Sequence, residues 1–189
     1  MINQLHYLNV LMLIFIFVSC EESENQPEAS GFLNMKDATY TLDKGVLENW
    51  GTAEENDELD ENYDGYLLGL TLVSPEVIIH QSNGRVDSIS GEGQGIYFRI
   101  IDDFPEGFEK HVFTFDTEIA PGTLVYSAAM VNFDFMNDGL DDYILIEEGT
   151  LSINKTGTEY VIEFDGFITP EKEIEARYTG ELVTFDVEL

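Results

Sequence analysis

The sequence predicts an all-β protein, and three observations carry that prediction. From about residue 32 onward, apolar residues recur with a period of two, as they do in strands that bury one face. Turn signals rich in Gly, Pro, Asn and Asp separate the short apolar runs. No segment after residue 20 has the longer period of an amphipathic helix. We therefore expect an antiparallel two-sheet sandwich or, alternatively, a closed or partly open β-barrel, because periodicity does not distinguish open sheets from closed ones.

About ten strands are predicted along the chain. Residues 66–73 (YLLGLTLV) are apolar enough to be buried on both faces. In residues 160–167 and 174–182, apolar and polar side chains alternate, so one face of each strand should contact the core. The other predicted strands cover residues 40–42, 46–47, 77–80, 96–101, 112–115, 124–131, 143–146 and 150–154.

Three turn signals divide these strands. Residues 43–45 (DKG) predict a hairpin between the first two strands, and residues 137–139 (NDG) predict another between the strands at 124–131 and 143–146. The glycine-rich residues 91–95 (GEGQG) come before a strand. A dinucleotide-binding loop opens a helix instead, so we interpret this run as a turn or a bulge.

The start of the chain differs sharply from the rest. Residues 8–18 (LNVLMLIFIFV) are apolar but too short to span a bilayer, which takes roughly 20 residues, and they match the apolar region of a signal peptide. Residues 20–31 are polar and acidic, with no apolar periodicity beyond the cysteine. We expect a signal peptide over residues 1–19, an acidic disordered tether over 20–31 and a single β-sandwich domain over 32–189.

Cys20 is the only cysteine in the chain, so it has no partner for a disulfide. The acidic tether supplies neither the Cys and His neighbours of a zinc site nor the apposed base of a nucleophile. Attachment of lipid is the remaining interpretation. Residues 17–20 (FVSC) resemble a bacterial lipobox, in which a peptidase cuts before a diacylglycerol-modified cysteine, although Leu, Val or Ile is usual where Phe17 stands.

A wider resemblance covers most of the chain after Cys20. Residues 21–24 (EESE) resemble the acidic signal with which Bacteroidota export lipoproteins to the outer cell surface. The spacing of Tyr40, Gly45 and Trp50, the run GEGQG and the closing stretch IEARYTGEL are similar to those of small β-sandwich surface lipoproteins of Bacteroidota, many without assigned function. This resemblance implies an exported outer-membrane lipoprotein, exposed at the cell surface and anchored in the membrane through lipid on Cys20. It implies no catalytic residues.

The charge of the chain restricts its partners. The sequence has 38 Asp and Glu against 8 Lys and Arg, a formal net charge of −30. Nucleic acid is bound chiefly through Lys and Arg, so a nucleic-acid partner is not expected. Such a charge favours solubility and attracts cations.

Two acidic clusters are candidate calcium sites, because calcium prefers oxygen ligands at alternate positions around a glycine turn. The first contains Asp60, Asn62 and Asp64 before Gly65, and it matches only the first half of a calcium loop. The second surrounds Gly139. Its candidate ligands are Asp134, Asp138 and Asp141. The alternative in both places is a solvated acidic turn.

Aromatic residues flank both clusters: Trp50, Tyr63 and Tyr66 the first, and Tyr143 the second. Trp50 and Tyr63 are the candidate ligand contacts, since sugar rings stack on aromatic faces. The alternative is packing in the core, which aromatic residues dominate. No serine-hydrolase elbow is present, and two carboxylates for a glycosidase occur by chance among so many acids.

The sequence therefore predicts a lipid-anchored binding or structural module of the cell envelope without catalysis, with calcium in its acidic loops as a further expectation. The alternative is a carbohydrate-binding accessory of a surface glycan-uptake system. Besides the membrane, a glycan or another envelope protein is the expected partner.

Overall fold

The structure, a computed structural model, describes residues 30–35, 37–52, 63–82, 85–103, 111–116, 120–137 and 143–187. These residues form strands joined by turns and bends. The described part of the chain contains no helix long and apolar enough to cross a membrane. The strands are β1 (Ser30–Met35), β2 (Ala38–Leu42), β3 (Lys44–Thr52), β4 (Tyr66–Val73), β5 (Ile78–Ser82), β6 (Arg85–Ser90), β7 (Glu92–Asp102), β8 (His111–Thr114), β9 (Thr123–Asp134), β10 (Ile144–Leu145), β11 (Glu148–Thr156), β12 (Glu159–Thr169), β13 (Lys172–Gly180) and β14 (Val183–Asp186).

Twelve of these strands form one curled sheet in the order β14-β3-β4-β7-β9-β8-β11-β12-β13-β1-β2, with β10 beside β9. A separate hairpin consists of β5 and β6. The described pairings are antiparallel except for β14 with β3 and β8 with β9. The predicted all-β fold is confirmed, and the curl of the large sheet fits a sandwich or a partly open barrel.

The predicted hairpin at residues 43–45 is wrong. Strand β2 pairs with β1, and β3 pairs with β4 and β14, so the two strands on either side of Asp43 are not partners. The chain runs on in an extended path, and the backbone N–H of Asp43 donates to the carbonyl of Val73 at 3.1 Å. The Nζ of Lys44 donates to the carbonyls of Pro75 and Val77 at 2.6 and 2.7 Å, which fastens the start of β3. A turn at this point would take Leu42 out of the core, where it is fully buried.

The two halves of the curled sheet face one another across a single large core. Phe98 of β7 and Phe164 of β12 are both 0% exposed, and their ring centroids lie 4.9 Å apart. The predicted alternation of β12 is confirmed, since Phe164 is buried while Val161 and Glu163 are exposed. The predicted burial of β4 is confirmed as well, because every residue from Leu67 to Val73 is buried.

Replacement of one of these rings tests the core. Phe164→Ala removes most of the ring contact with Phe98 and leaves a cavity, so we expect it to lower the free energy of unfolding by about 3–5 kcal/mol. Val161→Ala, on the outer face of the same strand, should cost no more than about 0.5 kcal/mol. Urea denaturation measures both. A small loss for Phe164→Ala, similar to that for Val161→Ala, would contradict a core shared by the two halves.

Candidate ligand-binding groove

The structure describes only part of the predicted calcium clusters. Asp60, Asn62, Asp138 and Asp141 lie outside the described residues, as does Cys20. Asp64 is exposed just before β4, and Asp134 ends β9. In the described ranges, no group of three or more His, Cys, Asp or Glu residues is placed to hold a metal ion. Calcium binding therefore stays a prediction.

Asp134 has a local structural role. Its carboxylate accepts hydrogen bonds from Nδ2 of Asn137 at 2.7 Å and from the backbone N–H of Met136 at 3.0 Å. These hydrogen bonds, with that of Asn137 first, lower the pKa of Asp134. The geometry is that of an aspartate closing a turn after a strand.

Of the two predicted ligand contacts, Tyr63 is packed in the protein interior, as the alternative interpretation predicts. Its side chain is 6% exposed and packs with Leu67 and Ile101 in a small second cluster, against which Trp50 and Val125 also pack. This cluster lies on the face of the sheet opposite the main core. Trp50 is half-buried, and one edge of it lines a hollow of about 590 Å³ near Tyr66 and Asp186.

A second site, lined by more aromatic residues, lies beside the second cluster on the same face of the sheet, and we call it the tyrosine groove. It is a groove of about 580 Å³ whose lining includes Tyr97, Arg99, Tyr126, Phe133, Phe135 and Tyr143. The rings of Tyr97 and Tyr126 lie 6.1 Å apart, and those of Phe133 and Tyr143 lie 5.0 Å apart. Phe133 also contacts Phe135 edge to face at 5.1 Å. Two groups of contacting rings, from β7, β9 and the segments after β9 and before β10, thus line one groove.

Strand register brings four residues into one row at the edge of this groove. Glu48 of β3 pairs with Gly69 of β4, Gly69 pairs with Arg99 of β7, and Arg99 pairs with Tyr126 of β9. Because cross-strand neighbours point to the same face, Glu48, Arg99 and Tyr126 all extend on the groove side. Gly69 has no side chain, so polar side chains of the neighbouring strands can occupy the space above its backbone.

Polar atoms converge over that space. A Cβ placed on Gly69 would lie 2.8 Å from Oε2 of Glu48 and 3.3 Å from the hydroxyl of Tyr97. It would lie 3.2 Å from Nε1 of Trp50. A side chain at this position would force the Glu48 carboxylate to shift, so the glycine permits the close approach of these polar atoms.

Burial sets the protonation of these groups. Burial raises the pKa of Glu48, and the indole N–H of Trp50 and the charge of Arg99 lower it by smaller amounts. Nε1 of Trp50 is itself buried and, within the described structure, makes no hydrogen bond of regular geometry. We conclude that it acts on Glu48 through its dipole from a poorly aligned position. Burial also raises the pKa values of Tyr97, Tyr126 and Tyr143, so their hydroxyls stay protonated at neutral pH.

Arg99 is the cation of the groove. Its Nε donates to the hydroxyl of Tyr97 at 3.3 Å, which fixes the side chain along the groove wall. Among the described residues, its two terminal amino groups have no acceptor within hydrogen-bonding distance. Each guanidinium group offers five N–H donors in a planar fork. Arg99 therefore presents unused donors to anything that occupies the groove.

The two histidines of the described ranges lie away from the groove lining. His80 is exposed, with Nε2 2.6 Å from the hydroxyl of Ser90. Nδ1 of His111 lies 2.9 Å from both carboxylate oxygens of Asp102, whose side chain is 4% exposed. This pair connects the end of β7 to the start of β8.

Sequence analysis did not single out Glu48, Arg99, Tyr97 or Tyr126. Glu48 carried a usable signal, because it directly follows the apolar pair Val46-Leu47 in a predicted strand. Tyr143 had been noted as a flanking aromatic residue. Comparison of the chain with protein-family models, with curated proteins and with solved structures found no match.

The burial of Glu48 predicts a pH-dependent cost to folding. The pKa of Glu48 is higher in the folded protein than in the unfolded chain. The free energy of unfolding therefore falls as the pH rises through the interval between the two pKa values. Glu48→Gln removes the charge, so it should equal the original protein in melting temperature near pH 4 and exceed it at pH 7. We expect a gain of about 2–4 °C for each kcal/mol relieved. Thermal melts over this pH range measure the difference.

Glu163→Gln is the matched control, because it makes the same charge change on an exposed side chain of β12. Its melting temperature should stay within about 1–2 °C of the original, as for most surface substitutions. A lower melting temperature for Glu48→Gln at pH 7 would mean that the native contacts of the carboxylate outweigh its burial.

Proposed function

We propose that this protein is a non-catalytic binding module and that the tyrosine groove binds a glycan. The observation that supports the proposal is the meeting of Tyr97, Tyr126 and Tyr143 with Arg99 in one groove, with Glu48 next to it across Gly69. Sugars present apolar ring faces and polar hydroxyl edges, and this groove offers aromatic faces beside hydrogen-bonding groups. Its volume of about 580 Å³ lies in the usual range for small-molecule sites, about 300–1,000 Å³.

Tyrosine suits this role for a further physical reason. Its ring gives a large contact area while only two side-chain torsions lose freedom on binding. In the groove, the rings also contact one another or Phe133, so less motion remains to be lost. A preformed aromatic surface of this kind supports binding with little reorganisation.

We also propose that the module is exported and held at the outer membrane by lipid on Cys20, with its folded part exposed at the cell surface. The support comes from residues 8–31, that is, the apolar run, the single cysteine and the acidic stretch behind it. Strand β1 begins at Ser30, so about ten residues separate the cysteine from the first strand. In its broader form, the proposal is an envelope module that binds a glycan or another envelope protein.

Truncation of a groove tyrosine tests glycan binding. Tyr126→Ala removes an aromatic ring from the groove lining, so we expect it to weaken the affinity for the polysaccharide about tenfold or more. Tyr126→Phe keeps the ring and should retain most of the affinity. Affinity electrophoresis in gels that contain a panel of soluble polysaccharides measures this, and Val161→Ala on β12 is the control.

The same experiment tests the absence of catalysis. Polysaccharide incubated with the protein should keep its chain length, as measured by chromatography of reducing ends. Retention that survives Tyr126→Ala would place binding elsewhere on the molecule. Release of oligosaccharides that stops in Glu48→Gln would replace the binding proposal with a hydrolase.

The lipid anchor is tested by Cys20→Ser in the full chain expressed in a bacterium. The substitution removes the thiol to which diacylglycerol would attach, and stable anchoring needs more than one acyl chain. We expect the protein to move from the detergent phase to the aqueous phase in detergent partitioning. Equal partitioning of Cys20→Ser and the original protein would contradict lipid attachment at this residue.

A further inference from the structure

We propose that the tyrosine groove selects neutral glycans over acidic ones, with Glu48 and Arg99 binding adjacent hydroxyls of one sugar ring. This inference rests on the proposed function, because it names the class of glycan for the same groove. Three residues carry it: Glu48 of β3, Gly69 of β4 and Arg99 of β7 lie side by side in one row of the sheet.

The geometry provides an acceptor and a donor side by side. Glu48 and Arg99 flank Gly69 in register, and polar atoms of Glu48, Trp50 and Tyr97 occupy the space above the glycine. Oε2 of Glu48 lies over that space, 2.8 Å from where a Cβ of Gly69 would be. Arg99 and Glu48 are close enough to interact electrostatically, but they form no ion pair within 4.0 Å in the described structure. Both side chains are half-buried, so each keeps a solvent-facing part that a ligand beside the groove can contact.

Adjacent hydroxyls of a sugar match this arrangement. Each hydroxyl can donate one hydrogen bond and accept others. One hydroxyl donates to the Glu48 carboxylate, and its neighbour accepts from a terminal amino group of Arg99. Hydrogen bonds to charged groups are roughly twice as strong as neutral ones, so the pair can orient the ring. The ring face then lies toward the tyrosines.

Charge argues against an acidic sugar in the same position. A carboxylate that approached Arg99 would also approach Glu48, and like charges at short range repel. The surrounding field is strongly negative, since the chain has a formal net charge of −30. Glu48 is therefore the repulsive element that excludes acidic ligands, and specificity of this kind depends on such an element as much as on attraction.

The test uses the purified protein and paired probes. Neutral polysaccharides (dextran, laminarin, galactomannan, xyloglucan) are compared with acidic ones (alginate, polygalacturonate, chondroitin sulfate) by affinity electrophoresis. We expect retention only by neutral probes. We also expect little change in that retention between low and high salt, because screening acts on charged ligands. Tighter retention by an acidic probe than by every neutral probe would overturn the inference.

Variants separate this inference from the proposed function. Glu48→Gln should weaken retention by the neutral probe about tenfold and strengthen retention by the acidic probes, since it removes the repelling charge. Arg99→Gln and Arg99→Lys should also weaken retention by the neutral probe. Lysine keeps the positive charge, but it lacks the planar guanidinium group with its fork of N–H donors. Glu163→Gln and Arg85→Gln, on exposed positions outside the groove lining, should change neither. Thermal melts establish that each variant is folded.

The outcomes are distinguishable. Loss of binding in Tyr126→Ala together with unchanged binding in the Glu48 and Arg99 variants overturns this inference and leaves glycan binding in place. Retention by none of the polysaccharides overturns both. If Glu48→Gln weakens retention by the neutral polysaccharides but does not strengthen retention by the acidic ones, Glu48 accepts a hydrogen bond without excluding acidic ligands. That result overturns the claim that the groove selects neutral glycans.

Discussion

A single residue, Asp43, joins two strands that lie nine strand spacings apart in the sheet order, and the rest of the fold depends on that connection. In a flat sheet, nine spacings of about 4.8 Å would separate β2 from β3 by roughly 43 Å. One linking residue spans at most about 7 Å between the strand ends. The sheet must therefore curl until its two ends meet. The hydrogen bond from Asp43 to Val73 and those from Lys44 to Pro75 and Val77 attach this link to the end of β4.

This closure assigns different roles to the two faces of the sheet. The side chains of the inner face pack in the shared core around Phe98 and Phe164. On the outer face, β4 and β7 still carry apolar residues, and Leu67 and Ile101 are buried there beneath Tyr63 and Trp50. The tyrosine groove occupies the adjoining part of that face. The register of β7 and β9 shifts between Arg99 and Ile100, beside the row that carries Arg99. Irregularities of this kind redirect side chains near binding sites.

The sequence predicts the strands whose alternation is strong, and the structure confirms the buried β4 and the two-faced β12 and β13. Strands β1, β6 and β14 were not predicted, because they are short and about half polar. The predicted hairpin at Asp43 failed because turn-forming residues also occur where a strand crosses from one edge of a curled sheet to the other. The row of Glu48, Arg99 and Tyr126 joins three distant parts of the chain through strand register. Period-two patterning indicates only that each faces outward, so their meeting could not be read from the sequence.

The groove contains arrangements that folding alone does not favour. The Glu48 carboxylate is partly buried, at a cost that a neutral group of the same shape would avoid. Nε1 of Trp50 is buried beside it without a regular hydrogen bond in the described structure. Arg99 is held by one hydrogen bond while its terminal donors are unused there. Natural proteins accept such costs mainly where a site needs them, and the three lie within one row and its immediate neighbours. A ligand that donates to Glu48 and accepts from Arg99 would offset two of these costs at once, which is the physical reason for proposing that a ligand binds here.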